Sequence, residues 1–319
     1  MNLENIGFYT LEDSRAKNSN GTTPLWRCEL ILTSACNFAC PYCRGIEEPH
    51  CGSISWDTAT QTVDIWANEG LLNVRFSGGE PTLWKKLPEL VEYTKSKGVS
   101  RIAISTNGSA SLDYYKNLIE KGVNDFSISL DACCAETGDK MAGEKKGAWN
   151  KVVENIRELS KLTYVTVGVV LTTDNIDEFY KTVVFAHGLG VSDIRVISSA
   201  QWNEKLNIEF PDDILNSHPI LKYRINNFRK GRHVRGLTET DNNRCPLALD
   251  DMAVLAGNHY PCIIYMREQG KPISKLSENV RKERIEWAET HDTFADPICR
   301  GNCLDVCIDY NNKHREFHD

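Results

Sequence analysis

Three closely spaced cysteines constrain this chain more than any other feature of its sequence. They are Cys36, Cys40 and Cys43, and their spacing is C-x3-C-x2-C. Thiolates at this density are soft ligands that suit iron–sulfur clusters or zinc. Three thiolates can hold three irons of a [4Fe–4S] cluster and leave the fourth iron open to another ligand. A cluster of that kind is a reactive site rather than only a carrier of electrons.

A zinc site is the alternative interpretation, with Cys51 or His50 as the fourth ligand. Zinc ligands more often come as two C-x2-C pairs, so the spacing favours iron. The chain has 12 cysteines, with no secretion signal and no run of ~20 apolar residues. We therefore expect metal sites in a reducing, cytoplasmic compartment rather than disulfides or a membrane anchor.

The cysteine motif resembles the signature of the radical SAM superfamily, C-x3-C-x-aromatic-C, with Tyr42 as the aromatic residue. The resemblance implies a [4Fe–4S] cluster whose open iron chelates the amino and carboxylate groups of S-adenosylmethionine (SAM). It also implies a flavodoxin- or ferredoxin-type reductant, whose electron leads to cleavage of SAM and a 5'-deoxyadenosyl radical. That radical removes hydrogen from an unactivated C–H bond, while the protein supplies binding and orientation.

Strand-like and helix-like segments alternate from Trp26 onward. Apolar runs rich in β-branched residues are separated by segments of 3.6-residue periodicity, which is typical of parallel strands joined by right-handed crossovers. Six strands are too few for a closed eight-stranded barrel. We therefore predict an α/β fold with an open, partial (β/α)6 barrel, and the family resemblance implies the same core. The predicted strands are 26–33, 74–77, 101–106, 126–130, 164–171 and 194–198, and the predicted helices are 56–68, 86–97, 112–121, 148–162 and 176–187.

The end of the second strand is a candidate for binding SAM, because ligands gather at the carboxyl ends of parallel strands. This strand ends in Gly78-Gly79-Glu80. The glycines admit a ligand close to the backbone, and Glu80 offers an acceptor to an amine. The segment matches the G-G-E motif of the family, which implies contact with the methionyl amino group.

The third and fourth strands also end in polar side chains. The resemblance places contacts with the carboxylate and ribose of SAM at these ends, and local turn hydrogen bonds are the alternative. Ser127 is expected to face away from this site. The residues expected to contact SAM are Ser105, Asn107, Ser129 and Asp131.

Cys133 and Cys134 directly follow the fourth strand, so we expect them near the same edge of the barrel. One interpretation is two buried small residues. The other is a catalytic thiol that donates hydrogen to a substrate radical, which would suit an epimerase.

Residues 201–244 interrupt the alternation. Pro211 predicts the start of a helix that runs to about Asn227. Basic residues cluster within 222–235, and this run is either a solvated surface or a site for a phosphate, a carboxylate-rich peptide or nucleic acid. The basic residues are Lys222, Arg224, Arg229, Lys230, Arg232, His233 and Arg235.

Five further cysteines lie near the C-terminus: Cys245, Cys262, Cys299, Cys303 and Cys307. The first two bracket a predicted hairpin at 252–265, and the last three recur every fourth residue, which predicts one face of a helix. The region resembles the auxiliary-cluster domains called twitch and SPASM, which implies one auxiliary [4Fe–4S] cluster. Cys245, Cys262, Cys299 and Cys303 are the first choice of ligands. The fifth thiol is a candidate hydrogen donor, and a zinc site built from the same thiols is the alternative.

Five regions follow from these patterns: an N-terminal arm (1–24, with a short strand at 6–11), the partial barrel (25–205), a linker with a bridging helix (206–244), the auxiliary domain of β-hairpin plus helix (245–310) and a loose tail (311–319). The predicted activity is that of a radical SAM enzyme of the oxidoreductase or epimerase class. Its expected substrate is a peptide that undergoes epimerisation, oxidation or cross-linking.

Two other substrates and one non-catalytic role stay open. A small polar substrate such as an amino sugar or cyclitol suits the net charge of −7, from 37 basic and 44 acidic residues. Modification of a nucleic-acid base rests only on the basic run at 222–235, and an acidic chain disfavours nucleic acid as the main partner. The non-catalytic alternative is a structural zinc or iron–sulfur binding module.

Overall fold

The computed structural model describes residues 13–46, 51–200 and 202–318. Two predictions, the strand at 6–11 and zinc ligation by His50, lie outside these residues. Within the described ranges, no helix combines the length and the apolar character needed to cross a bilayer.

A single sheet of nine strands runs through the described residues. Its strands are β1 (Arg27–Thr33), β2 (Asn73–Gly78), β3 (Arg101–Thr106), β4 (Asp125–Ser129), β5 (Tyr164–Leu171), β6 (Asp193–Ser198), β7 (Asp251–Leu255), β8 (Asn258–Tyr260) and β9 (Ser274–Lys275). Their order across the sheet is β6-β5-β4-β3-β2-β1-β7-β8-β9. The first six strands pair in parallel, as predicted. β1 and β6 are not neighbours, so the parallel sheet stays open.

Five helices join the parallel strands at the predicted places: α2 (Trp56–Asn68), α3 (Leu87–Ser96), α4 (Leu112–Lys121), α6 (Ala148–Leu159) and α7 (Phe179–Gly188). Two short helices were not predicted: α1 (Asp13–Asn18) precedes β1, and α5 (Ala135–Met141) follows β4. Ser55 and Ser111 begin α2 and α4, because each hydroxyl accepts a hydrogen bond from a backbone N–H three residues ahead. Gly122 ends α4 at a φ of 135°, which favours glycine.

The two faces of the parallel strands differ in chemistry. Leu30, Phe76 and Ile104 belong to the hydrophobic core that packs the sheet against the helices. Arg27 and Arg75 alternate with these residues and line an interior cavity. Because successive residues of a strand face opposite sides, the apolar face holds the helices and the polar face surrounds the cavity.

The C-terminal region continues the barrel sheet. β7 pairs in parallel with β1, and β8 and β9 follow in antiparallel pairing. The predicted hairpin at 252–265 is present, but its second strand ends at Tyr260. Residues Ile263–Arg267 form helix α10, because Cys262 Sγ accepts from the N–H of Tyr265 at 3.3 Å and caps it.

The linker helix predicted from Pro211 to about Asn227 is two helices, α8 (Asp212–Ser217) and α9 (Pro219–Arg229). Pro219 divides them, because proline lacks the N–H that would continue the helix. The basic run is also divided. Arg224 is buried against Asp305, whereas the exposed Arg229 pairs with Glu209.

The single helix predicted for Cys299 to Cys307 is wrong. The last helices are α11 (Val280–Thr290), α12 (Pro297–Asn302) and α13 (Asp305–His318), and Cys303 lies between α12 and α13. The chain leaves the helix there to pair with residues 234–236: Gly236 N donates to Cys303 O, and Asp305 N donates to Val234 O, both at 2.9 Å.

The loose tail predicted for 311–319 is helical through His318 in this structure. Tyr310, in α13, is buried with Ala16 of α1 and with Leu247. His314 Nε2 lies 3.1 Å from the carbonyl oxygen of Ser19. The C-terminal helix therefore packs against the N-terminal helix and against the region that carries Cys245.

Candidate active site

The cysteine loop, residues 34–46, directly follows β1 at the carboxyl end of the parallel strands. Cys36 and Cys43 are exposed, and Cys40 is half-buried. The backbone N–H of Phe38 donates to Cys36 Sγ, and that of Gly45 donates to Cys43 Sγ, both at 3.4 Å. Hydrogen bonds to cysteine sulfurs tune iron–sulfur clusters. The loop therefore presents three thiols with support for metal binding.

Gly78 and Gly79 pack directly against this loop. A Cβ atom on Gly79 would lie 2.4 Å from the carbonyl oxygen of Ala35, and one on Gly78 would lie 2.4 Å from that of Thr33. Gly79 N also donates to Thr33 O at 2.7 Å. Contacts this close exclude a side chain at either position. We expected a ligand to approach these glycines, and here the backbone at the start of the cysteine loop does so.

The Glu80 side chain is fully buried, and its carboxylate accepts four hydrogen bonds. Oε1 accepts from Thr82 N (3.1 Å), Thr82 Oγ1 (2.7 Å) and Thr106 Oγ1 (2.8 Å), and Oε2 accepts from Asn107 N (2.7 Å). Burial raises the pKa of Glu80, although these donors oppose the rise. The carboxylate therefore ties the end of β2 to the end of β3, and its contact with the amine of SAM stays a prediction.

Asn107 reaches the cysteine loop from the end of β3. Its Nδ2 donates to Asn37 Oδ1 at 2.8 Å and lies 3.9 Å from Cys36 Sγ. Asn37 in turn donates to Ser109 Oγ at 2.8 Å. Asn107 therefore lies beside the first thiol of the motif, and its direct contact with SAM stays a prediction.

Asp131 holds the aromatic residue of the motif. Tyr42 Oη donates to Asp131 Oδ2 at 2.6 Å, and Val170 N donates to Oδ1 at 2.7 Å. Burial raises the pKa of Asp131 to about 6. The carboxylate therefore fixes the cysteine loop to β5 through Tyr42, and each of its oxygens already accepts a hydrogen bond.

A small hollow, the rim hollow, lies between the cysteine loop and the end of β4, with a volume of about 60 Å³. The exposed Ser129 lines it, and Ser105 does not. Ser127 lies on the same face of β4 as Ser129, with its Oγ 3.5 Å from Arg195 Nη2, so the expectation that it faces away is wrong. The predicted SAM-site residues that line the rim hollow are Tyr42, Asn107, Ser129 and Asp131, together with Cys40.

A larger space, the central cavity, occupies the concave side of the sheet and has a volume of about 250 Å³. Residues of β1, β2, β3, β6 and β7 line it, so the open sheet curls around it as a partial barrel does. Ser105 lines this cavity, and Arg44 reaches it from the cysteine loop. Its charged lining residues are Arg27, Arg44, Arg75, Arg195, Arg224, Arg267, Glu29 and Asp251.

The five C-terminal cysteines line one further cavity of about 40 Å³. Cys262 and Cys307 line both this cavity and the central cavity. Cys299 Sγ lies 3.7 Å from His291 Nε2. The fold therefore brings all five predicted ligands to one cavity. It also places Cys262 and Cys307 at the wall of the central cavity.

Cys133 and Cys134 face Glu178 instead. Cys133 Sγ lies 3.9 Å and Cys134 Sγ 4.0 Å from the Glu178 carboxylate, and the three ligand atoms lie within 4.8 Å of one another. Neither cysteine lines the rim hollow or the central cavity. This position gives no support to hydrogen donation by these thiols, which stays a prediction.

Sulfurs around a single zinc ion lie about 3.8 Å apart. Among the described residues, no three of the cysteines in either predicted cluster site have sulfurs within 4.8 Å of one another. Cys299 instead lies within this distance of His291 and Asp296. Cys51 Sγ donates to Ile46 O at 3.1 Å. For the C-terminal thiols, a cluster and a zinc site therefore both stay predictions.

Burial disfavours the ionised form of several of these thiols. It raises the pKa of Cys40 and of Cys307 to about 12, and that of Cys245 to about 11. A metal must therefore displace protons from these cysteines, and metal binding weakens as the pH falls.

Except for Arg224 of the basic run, the arginines of the central cavity are functional candidates that the sequence analysis missed. Arg27, Arg75 and Arg195 alternate with apolar residues along β1, β2 and β6. Buried parallel strands usually read as continuous apolar runs. A single arginine within each of these apolar strands was therefore the available signal for a polar barrel interior.

Residues 30–186 match the sequence model of the Radical SAM superfamily. A curated protein from Saccharolobus islandicus, named probable GTP 3',8-cyclase, is 30% identical over 177 residues, which are 54% of this chain and 57% of that protein. The chain thus spans little more than half the length of the curated relatives that it matches.

Two solved structures share most of the fold. Streptococcus suis SuiB bound to precursor peptide SuiA is 13% identical, with a TM-score of 0.59 over 90% of this chain and 76% of that chain. Native anSMEcpe with bound AdoMet is 16% identical, with a TM-score of 0.59 over 91% of this chain and 96% of that chain. At these identities the likeness shows a common fold.

Proposed function

Because residues 30–186 form a radical SAM domain, we propose that this protein is a radical SAM enzyme that abstracts hydrogen from a substrate held in the central cavity. One observation carries the proposal. Arg44 of the cysteine loop and Cys262 and Cys307 of the C-terminal group line the same cavity. A substrate there would lie in the interior of the partial barrel, next to Arg44 of the cysteine loop and to two of the C-terminal thiols.

The residues fit the groups that this activity needs. Cys36, Cys40 and Cys43 would hold the first cluster, which, when SAM is bound to it, supplies the radical chemistry. Asn107 and Ser129 line the adjoining rim hollow and are proposed to contact SAM. Glu80 and Asp131 would act by holding the cysteine loop in place.

The C-terminal cysteines would hold one auxiliary cluster. Cys245, Cys262, Cys299 and Cys303 remain the first choice, which leaves Cys307 at the wall of the central cavity as the spare thiol. Arg27 and Asp251 line the same cavity. A flavodoxin- or ferredoxin-type reductant is the proposed electron donor.

Peptide modification remains the first candidate reaction, and two structures of the same fold have peptide-bound forms. The second candidate is a small-molecule reaction, which the internal position of the cavity favours. The relatives named GTP 3',8-cyclase belong to this second kind. A cationic amino sugar is the least supported substrate, since arginines dominate the cavity lining.

Anaerobic purification tests the proposal. The protein should carry about eight irons per chain and, on reduction, release 5'-deoxyadenosine from SAM. Replacing Cys36, Cys40 and Cys43 together by alanine should remove about half of the iron and all of the cleavage. Cys51→Ala, an exposed cysteine beyond the motif, is the matched control and should keep both.

One outcome would contradict the proposed enzymatic activity. Tightly bound zinc, with no release of 5'-deoxyadenosine by reduced protein, would support the binding-module alternative. Loss of iron in Cys51→Ala would make Cys51 a fourth ligand of the first cluster and leave no open iron for SAM.

A further inference from the structure

We propose that Cys133, Cys134 and Glu178 form a binding site for a zinc ion, separate from both cysteine groups described above. Each of these side chains offers one ligand atom, and the three atoms lie within 4.8 Å of one another. Two thiolates and one carboxylate, with a water molecule in the fourth position, form a ligand set that suits Zn²⁺. The proposal is independent of the proposed function, because this site needs neither iron nor SAM.

The tertiary fold brings the three groups together. Cys133 and Cys134 lie between β4 and α5, and Glu178 directly precedes α7. Successive residues of an extended strand face opposite sides, but the chain bends at the two cysteines. Both sulfurs reach the same carboxylate, Cys133 Sγ at 3.9 Å and Cys134 Sγ at 4.0 Å.

These distances suit zinc after a small movement of the side chains. Tetrahedral zinc with Zn–S bonds of about 2.3 Å and Zn–O bonds of about 2.0–2.2 Å places sulfur and oxygen about 3.6 Å apart. The two sulfurs exceed this separation from the Glu178 carboxylate by only a few tenths of an ångström. All three side chains are half-buried, so an ion from solvent can reach them.

The charges of the three groups favour a cation between them. Within the described ranges, the Glu178 carboxylate accepts hydrogen bonds from these two thiols, and no lysine, arginine or histidine forms an ion pair with it. Thiols are weak donors, so the carboxylate is poorly satisfied. Burial raises the pKa of Cys133, and Glu178 and Cys134 add to the rise. A bound divalent cation reverses this effect, because it stabilises thiolates and carboxylate together.

Two hydroxyl groups are placed to support the thiolates. Cys134 Sγ lies 3.5 Å from Thr137 Oγ1. Thr182 of α7 is buried, and its Oγ1 has no hydrogen-bond partner among the described residues. The same hydroxyl favours the thiolate of Cys133. Hydrogen-bond partners of this kind orient the ligands of metal sites, so a thiolate ligand at Cys133 would give the buried hydroxyl its acceptor.

The position of the site indicates what the ion would do. Asn175 Nδ2 donates to Asp131 O at 2.9 Å and to Val170 O at 2.8 Å, and so links the segments after β4 and β5. Asp131 in turn holds Tyr42 of the cysteine loop. A zinc ion would add a second link, from the residues after β4 to the start of α7. Its role would be to stiffen the support of the cysteine loop.

Zinc analysis and zinc X-ray absorption of the anaerobically purified, iron-loaded protein test the proposal. After incubation with zinc and desalting, the protein should retain about one zinc ion per chain in addition to its iron. The zinc should have about two sulfur neighbours at about 2.3 Å and lighter neighbours at about 2.0–2.2 Å. The absorption edge is specific to zinc, so the iron of the clusters does not obscure it.

Cys134→Ser and Glu178→Gln should each weaken zinc binding by about tenfold or more, as measured by competition with a chelator. Loss of a group that only orients a metal ligand already costs about 10–100-fold in affinity. Zinc should also raise the melting temperature of the parent protein more than that of either variant, because the ion binds the folded state.

Asp177→Asn is the matched control, because this exposed carboxylate is next to Glu178 in the chain. It should bind zinc within about twofold of the parent protein. Melting curves of the metal-free variants separate loss of the site from loss of folding. The proposal is overturned if the parent retains no zinc or if Cys134→Ser binds it equally well. A zinc environment of four sulfurs would also overturn it, because the ion would then lie at other cysteines.

Discussion

The cysteine loop and the C-terminal cysteine group bring thiols together in different ways. Cys36, Cys40 and Cys43 are close in sequence and lie on a loop at the protein surface, whereas the C-terminal five are spread from Cys245 to Cys307. The first group is positioned by neighbours that supply no thiol: two glycines, Asn107 and Asp131. The second group is assembled by the tertiary fold, from the segment before β7, the start of α10, and α12 and α13 with the residues between them. Three surface cysteines suit a cluster in which one iron has no protein ligand. Five cysteines around one cavity suit a cluster in which every iron has one.

The largest effect is expected from Gly79→Ala, which tests whether the cysteine loop depends on its neighbours. The new Cβ would lie 2.4 Å from Ala35 O and 2.6 Å from Ser34 O, both backbone atoms that cannot move alone. The loop should shift, and the protein should lose the iron of the trio, about half of the total, along with SAM cleavage. Iron analysis and release of 5'-deoxyadenosine measure both.

Gly188→Ala is the control for that prediction, because nothing lies within 4 Å of its added Cβ. It should retain the full iron content. If Gly79→Ala also retains it, the trio assembles without support from β2, and the contrast between the two groups is lost.

The next effect concerns the C-terminal group, where five thiols compete for four places. Cys303→Ala should remove the auxiliary iron, since this residue lies between α12 and α13 and lines the cavity that the five C-terminal cysteines share. Cys307→Ala should keep that iron, because Cys307 is the spare thiol in the proposed set. Iron content and the cluster spectrum of each variant decide the matter. Retention of iron in Cys299→Ala together with its loss in Cys307→Ala would exchange the roles of these two residues.

The smallest effect is expected from Glu80→Gln, which tests whether Glu80 holds the loop or touches SAM. An amide cannot accept all four hydrogen bonds that the carboxylate now accepts. The free energy of unfolding should fall by about 1–3 kcal/mol, as measured by denaturant titration. Glu92→Gln, at an exposed ion pair with Lys121, should change it by less than about 1 kcal/mol. Unchanged stability with a higher KM for SAM would instead restore the direct contact.

Much of the parallel sheet could be read from the sequence. The predicted bounds of β3, α4 and β5 agree with the structure at both ends. Local signals such as the Ser111 cap and Gly122 mark the ends of these elements. Their apolar pattern follows from burial against the neighbouring strands and helices of the same sheet. The C-terminal elements were predicted less well. The helix expected through Cys303 breaks because residues 234–236, distant in sequence, pair with it.

The sequence by itself determined the chemistry that the first site suits, because three thiols at this spacing and the tyrosine between the last two are local and need no fold to be recognised. It also determined the alternation of strands and helices. Only the tertiary structure decided that Glu80 is buried and hydrogen-bonded, that Cys133 and Cys134 face Glu178, and that arginines from separate strands surround one cavity. Burial, hydrogen-bond partners and the sum of nearby charges depend on residues far apart in the chain, and these quantities decide what each side chain can do.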